Sequence, residues 1–162
     1  MNNNSIESEL NNCNDELNAI EHLILGLGTS QVCLYLLKYA VIRSCSCIEH
    51  AFKNLIADYY EAGSPRVASF ISRHVRENSK NPSYEAMYDQ LNEFDSSMAT
   101  SFKNNFLLET DHERYKGSLK SLKNLRNDVA HGTNITTSIA VVKTYFSDSR
   151  KIIECLDRTL DH

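Results

Sequence analysis

The chain has 162 residues, is 41% apolar and 23% charged, and carries a net charge of −4. That length suits one domain with a sizeable core. The acidic balance argues against a dedicated, non-specific nucleic-acid binder but leaves room for a local basic patch. Only two prolines and five glycines leave too little punctuation for an all-β fold, so the long Leu-, Ala-, Lys- and Glu-rich segments predict an all-helical protein.

Five cysteines, an odd number without a C-x-x-C pair, speak against a disulfide framework and for a reducing, cytoplasmic setting. Cys45 and Cys47 fall roughly 200° apart on a helix, so they read as small core residues. The Asn-rich and then acidic start lacks the basic and apolar regions of a secretory signal. The most apolar stretch, Gln31 to Ile42, is broken by Lys38 and reads as too short and too charged to span a bilayer.

In chain order, residues 1–28 predict an N-terminal helix packed on the remainder, residues 29–162. Its apolar spacing (Leu10, Leu17, Ile20, Leu23, Ile24, Leu27) covers Ile6 to Leu27, with Gly26 and Gly28 at its end. Thr29 or Ser30 then caps a long helix to about Ala62, stopped by Gly63. Ser64-Pro65 starts a shorter helix to about Glu77. Asn78 to Ser83, with Asn81-Pro82, reads as a loop whose Ser83 caps a helix through Phe94. Asp95 to Leu108 is expected to be helical. Thr110-Asp111-His112-Glu113 reads as a capping box opening a helix that ends at Ala130 or His131, with Gly132 as a left-handed stop. A last amphipathic helix spans about Thr137 to Leu160. The expected fold is all-α, a bundle of five to seven helices.

The helix before Gly132 carries five cations (Arg114, Lys116, Lys120, Lys123, Arg126) and no acid between the first and last of them. Lys116, Lys120, Lys123 and Asn127 lie within about 60° of one another, opposite Leu119, Leu122, Leu125 and Val129. Such a stripe is either a solvated helix face or a track for a phosphate backbone leading to His131. Arg126 falls between Leu119 and Leu122, at the edge of the apolar face, where a guanidinium needs an acid, a cleft or a subunit interface. Glu49 in the long helix is one candidate partner. Arg126 and His131 diverge by about 140° on a continuous helix, so aiming both at one phosphate requires unwinding at His131, a second copy across a two-fold axis, or both. A cation and an imidazole together supply charge neutralisation and proton transfer for phosphodiester cleavage. The helix dipole at its C-terminus favours the protonated imidazole. The plain alternative is a histidine capping the last free carbonyls.

Leu125 to Gly132, Leu-Arg-Asn-Asp-Val-Ala-His-Gly, resembles the signature of the HEPN superfamily: an arginine, a polar residue, then a histidine after four intervening positions. The stretch around Ile48-Glu49, the Asn81-Pro82 loop and the final helix resemble its RiboL-PSP type. The resemblance implies an all-helical, dimeric endoribonuclease that uses neither metal nor cofactor. It further implies a composite site where two motifs face each other, and service in toxin–antitoxin, anti-phage or stress systems. Arg126 and His131 are then the catalytic candidates, Asn127, Asp128 and Glu49 the supporting ones, and Lys116, Lys120 and Lys123 the RNA-binding ones. The expected substrate is single-stranded or looped RNA, cut by attack of its own 2′-OH. The expected partners are a second copy and a cognate antitoxin or defence-system protein, with no membrane. Thr133 stands where one toxin subgroup carries a modifiable tyrosine. The competing readings are a non-catalytic HEPN-fold binding or scaffold protein and a generic helical adaptor. The histidines (22, 50, 74, 112, 131, 162) show no metal-ligand spacing.

Overall fold

The structure, a computed structural model, describes residues 1–28, 30–61, 65–77 and 81–160. Among the described residues seven α-helices follow one another: α1 (Asn4–Leu27), α2 (Gln31–Glu61), α3 (Pro65–Ile71), α4 (Tyr84–Phe94), α5 (Ser96–Leu107), α6 (His112–Ala130) and α7 (Ile139–Leu160). A π turn, Ser72–Arg76, extends α3. The expected caps at Thr29, the stop at Ala62-Gly63, and Ser64 and Asn78 lie outside the described residues.

The bundle is organised around α2, which packs against α1, α3, the π turn, α6 and α7. Its buried positions, among them Leu37, Val41, Ser44, Ile48, Phe52 and Leu55, recur every three or four residues and so form one continuous face. Small residues on that helix (Ala40, Cys47, Ala51) let neighbours come close. Against α1 the approach brings the Cys47 thiol to 3.8 Å from the Glu9 carbonyl and the Cys13 thiol to 4.0 Å from that of Arg43. Cys45 and Cys47 are both buried free thiols, as their spacing suggests. By length and composition α2 is apolar enough to cross a membrane, a property that its first third alone does not reveal. Here much of that apolar surface lies in the core.

Polar ties fix the other helices. The buried Asp148 of α7 accepts a 2.7 Å hydrogen bond from the Ser118 hydroxyl of α6 and also meets Arg114 at 3.3 Å. Arg76 in the π turn reaches back to α2, pairing with Asp58 at 2.5 Å, with Asn54 at 3.0 Å and with Glu61. Tyr84 stacks on Phe106 and Phe102, centroids 4.6 and 5.4 Å away, and so pins α4 to α5.

Helix ends follow the sequence closely, with two corrections. Ser83 and Asp95 accept backbone N–H bonds at the starts of α4 and α5. The capping box at Thr110 does not form: α6 starts at His112 behind Asp111, which makes no side-chain cap. Asp111 pairs instead with Arg114 at 3.2 Å, while the Glu109 carbonyl accepts the His112 N–H. The last helix begins at Ile139, two residues later than expected, and the Ser138 hydroxyl accepts the Val141 N–H at 3.3 Å.

Phe52 is fully buried at the centre of α2. Phe52→Ala is expected to destabilise the protein by about 3–5 kcal/mol, read from the midpoint shift in urea denaturation.

Candidate active site

The hexapeptide Arg126–His131 occupies the final turn of α6 and the residue beyond it. The helix ends in a Schellman arrangement. The Thr133 N–H donates to the Asp128 carbonyl at 2.9 Å, and the Gly132 N–H to the Val129 carbonyl at 3.1 Å. The His131 N–H takes the Asn127 carbonyl at 2.9 Å. Gly132 has φ +75°, the left-handed conformation that reverses the chain. The helix therefore unwinds at His131, whose ψ is 5°.

Because backbone N–H groups satisfy these carbonyls, the His131 side chain is not needed as a cap. It is exposed, and among the described residues it has no hydrogen-bond or ion-pair partner. An imidazole held on a fixed turn and open to solvent has both ring nitrogens available for proton transfer.

Arg126 is half-buried beside Leu119 and Leu122, as the helical wheel requires. Among the described residues it meets no carboxylate within ion-pair distance; its one side-chain bond, at 3.4 Å, is donated to the side-chain amide oxygen Oδ1 of Asn127. By contrast, Arg43, Arg76, Arg114, Arg150 and Arg158 each hold an acid. The expected partner Glu49 is engaged elsewhere: Lys53, one turn along α2, binds it at 2.5 Å, since an i, i+4 pair on one helix forms more readily than a contact across helices. Burial pushes the Cys45 thiol up to about 11, against the pull of Arg126 and Lys123, while Glu49 acts in the same sense as burial. Asp128 is exposed, and its backbone carbonyl accepts the Thr133 N–H.

Lys116, Lys120 and Lys123 line one side of a recess whose other side is Ser83, Tyr84 and Glu85 at the start of α4. Lys116 pairs with Glu85 at 2.7 Å and sits 4.9 Å from the centroid of the Tyr84 ring. Lys120 and Lys123 have no acid partner among the described residues. The stripe is therefore one wall of a cleft, and the α4 residues facing it carry no signal in the sequence near the hexapeptide.

The chain is an all-α bundle with an Arg-Asn-x-x-x-His turn closing a basic helix. The RiboL-PSP-HEPN family model matches residues 1–162, so the chain belongs to that family, with α1 included in the match. Membership supports a HEPN-type ribonuclease or toxin role in general. Comparison with curated proteins and with solved structures gives no match.

At Gly132 a Cβ would meet nothing within 4 Å, so substitution there tests backbone conformation alone. Gly132→Ala is expected to lower stability by about 1–2 kcal/mol, and Gly132→Asn by less, in denaturant titrations.

Proposed function

We propose that the protein is a metal-independent endoribonuclease of a toxin–antitoxin, anti-phage or stress system. On this reading it acts in the cytoplasm as a symmetric dimer on single-stranded or looped RNA. The observation that carries the reading is Arg126: a half-buried guanidinium that meets no carboxylate among the described residues, on the same closing turn as an exposed imidazole that has no partner among them either. Leaving a cation partly desolvated and unpaired destabilises a fold, so its retention points to an anionic ligand that completes it.

In the proposed reaction the neutral His131 imidazole accepts the proton of a ribose 2′-OH. The oxygen attacks the adjacent phosphorus, and the P–O5′ bond breaks. The leaving 5′ oxygen takes a proton from the protonated His131 of the second copy, leaving a 2′,3′-cyclic phosphate and a 5′-OH. Arg126 neutralises the charge that accumulates on the phosphoryl oxygens, and Asn127 holds the guanidinium in place. DNA, lacking the 2′-OH, is inert on this mechanism.

An apolar strip on α2 supports the second copy. Val32, Tyr35, Tyr39 and Ile42 are 48%, 60%, 52% and 44% exposed, and they lie on one side of the helix. The strip leads toward Cys45, where the charge of Arg126 is felt. Pairing two such strips across a two-fold axis buries apolar area and supplies the second hexapeptide that a composite site needs. The same surface also favours the second reading, a non-catalytic HEPN-fold scaffold. The two readings part at the imidazole, which a scaffold does not use.

Arg126→Ala and His131→Ala are each expected to reduce cleavage of total RNA by about 100-fold or more, with the helical circular-dichroism spectrum unchanged and EDTA without effect. Full activity in both variants would refute the site. Light scattering should give about twice 18.4 kDa, and Tyr35→Glu with Tyr39→Glu should shift the species to the monomer and abolish cleavage.

A further inference from the structure

Beyond Lys116, the recess at α4 does not end. A second hollow continues it, lined by Tyr84, Glu85, Tyr88, Asp89, Lys103 and Lys116. The two hollows, about 380 and 290 Å³, share Tyr84, Glu85 and Lys116, so they form one trough running from Lys103 on α5 along α6 to Lys123. Lys123 stands three residues before Arg126. Four ammonium groups face two carboxylates in this trough, on a protein whose net charge is −4. The positive charge is therefore local and arranged in a line.

We infer that this trough is the guide channel for the RNA strand next to the scission point, with Tyr88 as a stacking platform and Glu85 occupying a phosphate position in the free protein. This rests on the ribonuclease reading of Arg126 and His131. Lys116, Lys120 and Lys123 follow one another at about one helical turn, a rise of about 10 Å in all, which suits the repeated charges of a polyanion better than a single anion. Lys120 and Lys123 are unpaired, so no acid must be displaced to load them. Lys116 alone is occupied. The Glu85 carboxylate stays ionised there: burial works to raise it, but the Lys116 ammonium, its own backbone N–H and the Ser83 hydroxyl together hold it below its ordinary value. A phosphate that displaces it inherits an ammonium already positioned over the Tyr84 ring. The Tyr84 ring is already engaged, stacked on Phe106 and Phe102 and lying under the Lys116 ammonium. Tyr88, one turn further on α4 and half-buried at the outer hollow, presents the aromatic surface that successive bases use. From Lys116 to His131 the axis advances about 22 Å, room for roughly six nucleotides at the stacked rise of about 3.4 Å.

The test uses the full chain carrying His131→Ala, titrated into a fluorescently labelled single-stranded 12-mer RNA at several salt concentrations. Lys120→Glu with Lys123→Glu is expected to weaken binding more than tenfold and to flatten the salt dependence by about two counter-ions. Tyr88→Leu, which keeps an apolar side chain but removes the ring, should weaken binding several-fold at unchanged salt slope. Glu85→Gln should tighten it. In the active protein the lysine and tyrosine changes should raise KM with kcat held within about twofold, and cleavage efficiency should climb with the length of RNA on the trough side up to about six nucleotides. Unchanged affinity and KM in the lysine double variant would overturn the proposal. So would binding of a poly-glutamate peptide as tightly as RNA of equal charge. The two readings separate cleanly. Loss of RNA binding in the trough variants, with no cleavage by the wild type, supports the channel and refutes the nuclease. Cleavage that depends on Arg126 and His131 but ignores the trough variants does the reverse.

Discussion

The need of α2 to bury one continuous face shapes everything else in this bundle. That helix is the most apolar segment of the chain, and it contacts α1, α3, α6 and α7 at once. Close packing around it leaves α6 little freedom of rotation, because Leu119 and Leu122 must point inward. Once those leucines are placed, the helical repeat decides where every other residue of α6 goes: the three lysines to one flank, Arg126 to the border of the core. The chemistry sits on the edge of the packing problem.

The Schellman turn at Gly132 completes the arrangement. Stopping the helix at Ala130 and giving its carbonyls to backbone N–H groups frees the ring from structural duty and fixes its starting point. The arginine and the histidine of this turn thus stand in distinct environments: one half-buried, the other solvent-facing.

Much of this was readable in the residues. Periodicity gave the helices because most apolar positions face a single core, and Gly28, Ser83 and Gly132 mark their ends by chemistry that acts locally. Two of the errors share one cause, competition by a nearby partner. Asp111 is drawn to Arg114 rather than completing a cap, and Glu49 to Lys53 rather than to Arg126. The trough was hidden for another reason. Tyr88 and Lys103 come from α4 and α5, and nothing in a one-dimensional pattern says which flank of α6 those helices will face.

The start of α1 holds a different lesson. The backbone N–H groups of Asn2 and Asn3 both donate to the carboxylate of Asp157, at 2.5 and 3.1 Å, across a separation of about 155 residues. That carboxylate is fully buried, so it serves as a clasp between the first helix and the seventh. During synthesis α1 leaves the ribosome long before α7 does, and its first turn has no clasp until then. The first helix of the bundle to be made is thus among its last to be secured, and a half-finished bundle lacks the assembly on which an RNA-cutting site would depend.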